Sequence, residues 1–441
     1  MVSNRRTCRE WQAVLAAVDT VVILLSIGVT LWLRFGPDAG EYLLRNAFVL
    51  SLFFALCFPS FYVVGLYDVA QLGAFPRLLG LSAGGTALSL LMLVMVSYVW
   101  MTSPAGRGVA ALLFLFVSAG VGMARWCFAG AMARFGFARG LLLVEGEPLT
   151  ERLCALITAN PYLGYRVKKV IRKEEVAQEL IGSGADAVAL QIEAHPVQVS
   201  RHLRAARFAG VEVIDAVELY ERLTGEVPLD AVDERYLFEA SLRPSLFHMN
   251  RIKRLFDIVV ASLLVAITCW LWPLIAAAIK IDSRGPVLYR QERSGRNGKV
   301  FCLLKFRTMR EDAERESGPV WARAGDPRVT MVGRILRRLR LDELPQLLNV
   351  LGGSMSMVGP RPERPELVAH LAGEIPFFHD RLLMKPGITG WAQVNYPYAG
   401  SVEDSRRKLQ FDLYYLKNMS LHLDILILLR TVRIVFTGKG V

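Results

Sequence analysis

The chain of 441 residues is 53% hydrophobic and 21% charged, which is more apolar and less charged than soluble globular proteins usually are. This composition excludes disordered, collagenous and coiled-coil chains, and the six scattered cysteines, without a C-x-x-C pair, argue against a zinc site or a disulfide framework. The formal charge of +12 lies in the C-terminal part, since residues 1–250 hold 22 basic and 22 acidic residues and residues 251–441 hold 30 and 18. Such a region could face nucleic acid, anionic lipid or a phosphate-rich small substrate.

Four long apolar segments are predicted to span a membrane, because about 20 apolar residues cross a bilayer. The segments are 11–33, 47–67, 78–102 and 108–128. Basic residues cluster at the two ends of this region, at Arg5, Arg6, Arg9, Arg125, Arg134 and Arg139. The positive-inside rule then predicts that both ends lie in the cytoplasm, and the first apolar run is too long for a cleavable signal peptide. Asp19, inside the first segment, is a candidate functional acid, but we expect it to bond a neighbouring helix or to reach the interface.

Residues 139–243 alternate short β-like runs with helical stretches, a pattern typical of parallel βαβ units. The predicted strands are Leu141–Val144, Tyr165–Ile171, Ala187–Leu190 and Val211–Ile214. A dinucleotide site would need several glycines after the first strand. The turn Val144–Pro148 has one glycine and two acids, so we expect a structural or regulatory Rossmann-like module that does not bind NAD.

A linker at about 241–250, broken at Arg243-Pro244, leads into an apolar run from Leu255 to Ile281. Positive charge flanks both ends of this run, and Pro273 is expected to kink it because proline lacks the backbone N–H. A re-entrant helix broken at Pro273 would place both flanks in the cytoplasm. The alternative is a fifth span, which would put everything after residue 285 outside.

Glycine, arginine and proline then recur in several short motifs, with one acidic pair among them. The motifs are Gly285–Arg293, Leu304–Met309, Arg337–Gln346, Met357–Pro362 and Lys385–Val394. Arginine binds phosphate oxygens bidentately, and glycines let backbone N–H groups approach an anion. Each motif alone is ambiguous, because an Asp-Glu pair before a helix is usually a cap and basic runs usually form solvated or lipid-facing surfaces. Their combination behind a re-entrant helix favours a phosphate-handling site.

This combination resembles the bacterial sugar transferase family, the monotopic polyprenyl-phosphate phosphoglycosyl transferases. The matching residues are Lys253–Asp257, Lys305–Met309, Leu341–Leu344, Val358–Pro362 and Lys385–Val394. Long-form members also begin with four spans and a Rossmann-like domain. The segments 395–398, 401–404, 413–415 and 438–440 look like the exopolysaccharide and exosortase subgroup. Trp272 departs from the small polar residue that relatives often carry before the helix-breaking proline.

The fold class implied is membrane α plus α/β, in three parts. These are a four-helix transmembrane region (1–138), a Rossmann-like cytoplasmic domain (139–243), and a mainly helical catalytic domain with re-entrant helix 255–281 (251–441). The resemblance places the protein in the bacterial inner membrane with its catalytic domain on the cytoplasmic face, and we expect a homodimer. The segment Met419–Phe436 is predicted to be an interfacial helix that docks this domain on the membrane, with an ordinary amphipathic core helix as the alternative.

The resemblance implies that a hexose-1-phosphate passes from a UDP-sugar to undecaprenyl phosphate, with release of UMP and with Mg²⁺ as cofactor. Two anionic phosphates must meet in this reaction, so a metal ion and several basic residues would offset their repulsion. The residues assigned to phosphate or nucleotide binding are Lys305, Arg307, Arg337, Arg361, Lys385 and Gln393. The long-form resemblance favours a plain hexose.

Asp342 and Glu343 are the predicted catalytic pair, with Asp342 as the nucleophile of a two-step displacement and Glu343 as the ligand of Mg²⁺. Neighbouring Arg337, Arg338 and Arg340 are expected to keep the Asp342 carboxylate ionised. The competing assignment makes Asp342 a metal ligand in a direct transfer without a covalent step.

Three other classes of function remain as alternatives. A non-enzymatic membrane regulator would not need the acidic pair. A glycosyltransferase that moves only the sugar would release UDP instead of UMP. Nucleic-acid binding has little support, because the basic residues are not interleaved with stacking aromatic residues.

Overall fold

The computed structural model describes most of the chain. The described residues are 7–67, 75–99, 106–135, 138–146, 149–160, 163–172, 175, 179, 184–191, 197–208, 210–236, 246–310, 328–396 and 400–437. The chain folds into two units, Met1–Leu223 and Thr224–Val441. Several sequence predictions fall outside the described residues: the basic residues Arg5 and Arg6, the acid and proline at 147–148, the linker up to residue 245, and motif residues 397–398 and 438–440.

The first unit begins with long apolar helices, as predicted. They are α1 (Thr7–Phe35), α2 (Ala39–Arg45), α3 (Ala47–Val64), α4 (Phe75–Val99) and α5 (Arg107–Phe135). Four helical stretches of this region, beginning at Ala13, Ala47, Phe75 and Arg107, are long and apolar enough to cross a membrane. Their packed sides form a common core around Ile23, Phe53 and Val117, while other leucines and valines stay exposed, as lipid-facing side chains are.

Asp19 bonds a neighbouring helix, which confirms the structural interpretation of this acid. Its Oδ2 lies 2.6 Å from an Nη2 of Arg125, and both side chains are fully buried. The same guanidinium donates from Nε to the carbonyl of Leu66 at 3.2 Å and lies 5.4 Å from the ring centre of Tyr67. The pair therefore ties α1 to α5 and to the turn after α3.

A four-stranded parallel sheet follows in the same unit. Its strands are β1 (Arg139–Val144), β2 (Tyr165–Ile171), β3 (Ala187–Leu190) and β4 (Glu212–Asp215), in the order β2-β1-β3-β4. The helices between and after them are α6 (Thr150–Ala159), α7 (Val197–Phe208) and α8 (Ala216–Thr224). The alternation of strands and helices is as predicted, and the buried strand β1 explains the unbroken apolar run in the sequence. The Rossmann-like assignment of this sheet stays a prediction.

The second unit opens with a bent helix pair, α9 (Leu246–Thr268) and α10 (Leu271–Asp282). The described parts of the two helices meet at 63°, a shape shared by broken spans and re-entrant helices. Pro273 lies in the first turn of α10, where a missing N–H leaves no helical hydrogen bond unmade. The carbonyl of Cys269, four residues earlier, is the one that residue 273 would otherwise bond. The break between the two helices thus falls a few residues before Pro273, the residue at which the sequence predicted it.

The remaining helices and strands of the second unit are short, apart from two helices of 17 residues at its end. They are the antiparallel hairpin β5 (Leu288–Ser294) and β6 (Val300–Phe306), α11 (Met331–Arg338), α12 (Gln346–Gly352), β7 (Ser356–Val358), α13 (Pro365–Glu374), β8 (Gly387–Thr389), α14 (Trp391–Asn395), α15 (Val402–Asn418) and α16 (Leu421–Thr437). Strands β7 and β8 pair in parallel. This unit is mainly helical, as predicted.

Two motif glycines allow β7 and β8 to approach closely. A Cβ on Gly359 would lie 2.4 Å from the carbonyl oxygen of Lys385, and one on Gly387 would lie 2.1 Å from the amide nitrogen of Gly359. The two N–H groups donate at 2.9 Å to the carbonyls of Thr389 and Pro360. The expectation that motif glycines present free N–H groups to an anion is therefore wrong at these positions, because strand packing uses them.

Helix α16 buries one side in the core of the second unit. Leu423 and Ile427 lie in the core cluster, and Asp424 is 1% exposed. The Asp424 carboxylate bonds Lys253 at 2.7 Å and the hydroxyl of Tyr415 at 2.5 Å. These contacts are those of the alternative interpretation, a core helix, while Ile425 and Val432 remain more than 40% exposed on the outer side. Membrane docking by this helix stays a prediction.

The segment 224–236 packs within the second unit, although its sequence pattern assigned it to the preceding domain. The carbonyl of Gly225 accepts from Nε1 of Trp391 at 2.7 Å, and Asp230 bonds Arg406 at 2.6 Å. Val227 and Leu229 join the apolar cluster of α13 and α15. The chain has therefore entered the second unit before the predicted linker begins.

Candidate active site

The acidic pair lies in a single 3-10 turn, Leu341–Glu343, between α11 and α12. Arg340, which precedes this turn, has φ of 57° and ψ of 18°. A non-glycine residue in this left-handed region carries strain of about 1 kcal/mol, and such strain is common at functional sites. Asp342 is 8% exposed. The prediction that the pair stands at a helix start agrees with this geometry.

Three cations surround the carboxylate of Glu343. Its Oε1 lies 3.5 Å from Nζ of Lys305, 3.6 Å from an Nη1 of Arg340 and 3.7 Å from an Nη1 of Arg361. Lys305 comes from β6, and Arg361 follows β7. Residues far apart in the sequence therefore meet at one carboxylate oxygen, at distances that are long for salt bridges with direct hydrogen bonds.

Asp342 differs from its neighbour in its contacts. Among the described residues, its carboxylate makes no hydrogen bond or salt bridge. Burial and the adjacent charge of Glu343 raise its pKa, and the nearby cations Lys305, Arg337 and Arg340 offset this only in part. Of the arginines expected to keep this carboxylate ionised, Arg337 and Arg340 lower its pKa, but burial has the larger effect. The ionised state of Asp342 stays a prediction.

The two neighbours therefore have pKa values shifted in opposite directions. Burial raises the pKa of Glu343, but Lys305, Arg361 and Arg340 outweigh it and hold the pKa below its usual range. Burial lowers the pKa of Lys305, and the attraction of Glu343 opposes this. Such a divergence between adjacent acids is typical of sites where each has a separate role.

Arg337 reaches the pair from α11. Its Nε donates to Oγ1 of Thr308 at 2.9 Å. A Cβ on Gly333 would lie 2.1 Å from the carbonyl oxygen of Thr308, so only glycine lets α11 pack this closely against the end of the hairpin. Thr308 and Gly333 are thus positioning residues for Arg337, and sequence reasoning did not assign them.

Arg307 is engaged elsewhere. It is 5% exposed and donates from Nη2 to the carbonyl and hydroxyl of Ser283 at 2.8 and 3.1 Å, and from Nη1 to the carbonyl of Arg284. These bonds satisfy carbonyls at the end of α10. The contacts therefore give the predicted phosphate-binding role of Arg307 no support and show a structural one.

The described contacts of Lys385 and Gln393 are with other residues. Gln393 donates to the carbonyl of Ile388 at 3.3 Å, and its buried Oε1 has no partner among the described residues. Lys385 lines a cavity beside the start of α9, and neither Asp342 nor Glu343 lines that cavity. The structure thus gathers Lys305, Arg337 and Arg361 of the predicted site and leaves three of its residues outside.

The donor set can be compared with the needs of Mg²⁺. Within the described part of the chain, no group of three or more His, Cys, Asp or Glu side chains is placed to hold a metal ion. Mg²⁺ usually takes one or two carboxylates, with substrate phosphates and water completing its shell. Two adjacent carboxylates among phosphate-binding cations match that pattern, so the residues fit a metal that binds together with a diphosphate.

A family model described as bacterial sugar transferase matches residues 248–438. A UDP-N-acetylgalactosamine-undecaprenyl-phosphate N-acetylgalactosaminephosphotransferase from Aeromonas hydrophila is 42% identical over 240 residues, 54% of this chain and 56% of that protein. A UDP-glucose:undecaprenyl-phosphate glucose-1-phosphate transferase from Caulobacter vibrioides is 48% identical over 184 residues, 41% of this chain and 68% of the relative.

A third relative, a UDP-glucose:undecaprenyl-phosphate glucose-1-phosphate transferase from Escherichia coli, is 42% identical over 195 residues, 44% of this chain and 42% of that protein. The chain thus spans about half the length of the Aeromonas and Escherichia proteins and two thirds of the Caulobacter protein. The family match covers the whole of the acidic turn and its cations.

Proposed function

Because this chain belongs to the bacterial sugar transferase family, we propose that it transfers a hexose-1-phosphate from a UDP-sugar to undecaprenyl phosphate and releases UMP. We further propose that this is the priming step of exopolysaccharide biosynthesis. The observation that carries the proposal is the contrast within the acidic turn. Glu343 is bracketed by three cations, whereas the buried Asp342 has no bonded partner among the described residues.

The first step is an attack by the Asp342 carboxylate on the phosphorus that carries the sugar. A bond forms between the carboxylate oxygen and this phosphorus, and the bond from phosphorus to the bridging oxygen of the diphosphate breaks. UMP leaves with that electron pair. The nucleophile must be ionised and free to move onto phosphorus, and an acid without hydrogen-bond partners meets the second requirement.

The second step returns the enzyme to its starting state. An anionic oxygen of undecaprenyl phosphate attacks the same phosphorus, and the bond to the Asp342 carboxylate breaks. The carboxylate leaves with the electron pair, and the product is undecaprenyl diphosphate hexose. Both nucleophiles are already anions, so neither step needs a proton transfer.

Lys305, Arg340 and Arg361 have the position to hold the phosphates. In the resting site all three lie around one oxygen of Glu343, at 3.5–3.7 Å. Diphosphate oxygens can form shorter, bidentate contacts with guanidinium groups. These residues stabilise the charge that develops on the leaving phosphate in the first step.

Glu343, with its pKa held low, is the residue we assign to Mg²⁺, and Asp342 is its neighbour. The metal would neutralise charge on the diphosphate and stabilise the leaving UMP. Lys305 and the two arginines orient the Glu343 carboxylate and keep it ionised, so that it can bind the metal ion together with the diphosphate.

We also propose that α9 and α10 form a re-entrant helix pair with both ends at the cytoplasmic face of the bacterial inner membrane. The 63° bend and the basic residues on both flanks support this arrangement. Cysteine labelling near residues 248 and 290 should place both in the cytoplasm. Labelling of position 290 from the periplasm would show a fifth span instead.

The decisive experiment for the reaction omits the lipid acceptor. With a UDP-sugar and Mg²⁺ alone, the purified full chain should release about one UMP per enzyme and carry a phosphosugar adduct on the peptide with Asp342. Asp342→Asn should abolish this burst, and Glu343→Gln should weaken it in a Mg²⁺-dependent way. Glu292→Gln, an exposed acid on β5, is the control and should behave as wild type.

Each alternative gives a different result in this experiment. A direct transfer with Asp342 as metal ligand gives no burst and no adduct. A sugar-only transferase gives UDP with the acceptor present. An active Asp342→Asn enzyme, or an adduct on another peptide, would overturn the assignment of the nucleophile.

A further inference from the structure

The second unit contains a cavity that the proposed reaction does not use. Its volume is about 650 Å³, and it lies between the start of α9, the end of α15 and the 3-10 turn Phe378–Leu383. Ligand pockets commonly have volumes of about 300–1,000 Å³. Neither Asp342 nor Glu343 lines it, nor does any of the cations that bracket Glu343.

One wall of the cavity is basic. Arg254 donates to the carbonyls of Val350 and Leu351 at 2.5 and 2.8 Å, and these bonds fix its guanidinium beside the end of α12. A Cβ on Gly353 would lie 3.4 Å from an Nη2 of Arg254 and 3.8 Å from Nζ of Lys385. The two cations therefore converge on the same point of the wall, and Arg296 lines it as well.

Lys385 differs in its contacts from Arg254 and Arg296, which both bond backbone carbonyls. Its half-buried ammonium makes no hydrogen bond or salt bridge with any described residue. Burial and the charges of Arg254 and Arg296 lower its pKa, and the charge of Asp257, which also lines the cavity, opposes this. Three cations on this wall face a single nearby acid, Asp257. The excess of positive charge costs stability, so this arrangement indicates that an anion binds between the cations.

Besides Asp257, the cavity has two acids that form no salt bridge with these cations. Glu234 and Asp380 both line it, and neither carboxylate bonds another of the described side chains. Burial raises the pKa of Asp380, His379 opposes this, and the charge of Glu234 adds to the increase. Acids and a cation that stay unpaired around one space can each bind a different end of one molecule. Apolar side chains such as Phe377 and Leu413 line the space between them.

We propose that this cavity is a second ligand site, which binds a phosphate ester whose other end carries hydroxyl or amine donors. The phosphate lies against Lys385, Arg254 and Arg296, and the donors face Glu234 and Asp380. A soluble nucleotide and the headgroup of a membrane lipid both have this chemistry. The start of α9, where the cavity lies, is accessible to either source if the helix enters the bilayer there.

The test uses the full chain with Asp342→Asn in lipid nanodiscs, so that no turnover occurs. In one arm, UMP is titrated by calorimetry and the number of sites per chain is determined. In the other arm, native mass spectrometry measures lipid retained from nanodiscs of phosphatidylethanolamine, whose headgroup has amine donors, against phosphatidylcholine, whose headgroup has none.

Lys385→Gln should weaken binding by about tenfold or more in one of the two arms, because one charge-assisted contact is lost. A loss of one of two UMP sites identifies a soluble ligand. Loss of selectively retained phosphatidylethanolamine identifies a lipid headgroup. Lys299→Gln, on the exposed turn of the hairpin, is the control and should change neither.

Arg296→Gln, also at an exposed position, is the second variant and should act in the same arm as Lys385→Gln. Thermal unfolding of each variant checks that it has folded. If folded Lys385→Gln and Arg296→Gln bind both probes as the parent does, the proposal is wrong. Failure of the adduct experiment on Asp342 would leave this result unaffected, because no residue of the acidic turn lines the cavity.

Discussion

Among the described residues of the second unit, buried carboxylates are closely paired with cations in one region and lack close partners in another. Along α15 and α16, Asp412 lies 2.9 Å from Arg381 and Asp424 lies 2.7 Å from Lys253, each with a nearly buried partner. In the turn Leu341–Glu343, the Glu343 carboxylate lies 3.5–3.7 Å from three cations, and Asp342 has no bonded partner among the described residues.

The difference shows which charges hold the fold and which remain available. A close, buried pair fixes two elements against each other, because separating it leaves an uncompensated charge. In the described structure the acidic turn has no such close pair and therefore lacks this stabilisation of the fold. Charges that are held near one another without close pairing are typical of sites that complete their contacts with a substrate.

The largest expected effect comes from the turn itself. Asp342→Asn should lower the rate of UMP release with acceptor present by at least about 10³-fold, because the nucleophile is removed. Its free energy of unfolding should stay close to that of wild type, since no bond of Asp342 is lost. Steady-state UMP assays and chemical denaturation measure the two quantities. A folded variant whose rate of UMP release falls less than tenfold would show that Asp342 is not the nucleophile.

The paired region should respond in stability. Asp412→Ala should lower the free energy of unfolding by about 3–5 kcal/mol, because Arg381 would be buried without a counter-ion. The matched control is Asp230→Ala, which breaks a half-exposed pair with Arg406 and should cost less than about 1 kcal/mol. Chemical denaturation of both variants in the same detergent measures the two losses of unfolding free energy. Equal losses of unfolding free energy would mean that burial does not make the Asp412 pair more important for stability than the Asp230 pair.

The pH dependence of the reaction should report the raised pKa of Asp342. The carboxylate attacks only when ionised, so kcat/KM should fall on acidification at a pH above the ordinary range of an aspartate. Lys305→Gln removes a charge that lowers this pKa, and the acid limb should therefore move to higher pH. Lys299→Gln is the control. An acid limb that stays in place in the Lys305 variant would show that another group limits the reaction.

The smallest effect concerns the backbone before the turn. Arg340 has φ of 57°, which glycine adopts without strain and alanine does not. Arg340→Gly should be more stable than Arg340→Ala by about 1 kcal/mol, while both lose the same cation and the same activity. Thermal denaturation compares them. If alanine were as stable as glycine, the left-handed turn would not be strained.

Much of the fold could be predicted because it depends on local pattern. The four long helices follow from runs of apolar residues, and strands such as Tyr165–Ile171 coincide with their predicted bounds. The acidic pair was also placed correctly, since an Asp-Glu-x-Pro sequence is a local signal for a helix start.

Contacts between distant residues could not be predicted in the same way. Arg307 reads as a phosphate ligand in the sequence, yet its bonds go to carbonyls more than 20 residues earlier. The direction of the Asp342 pKa depends on burial, which the neighbouring arginines do not reveal. Nor does the pattern show that Arg381, through its bond to the carbonyl of Arg361 at 3.0 Å, fixes a residue of the site.

The ion pair between Asp19 and Arg125 has a consequence for biosynthesis. The acid belongs to the first helix and its partner to the last helix of the bundle, so the ribosome makes about a hundred residues between them. An unpaired aspartate within a membrane helix costs about 3 kcal/mol on insertion scales. The first helix therefore enters the membrane with an unfavourable charge, whose counter-ion in the described structure lies on the last helix. The bundle reaches its final packing after all four helices have been synthesised.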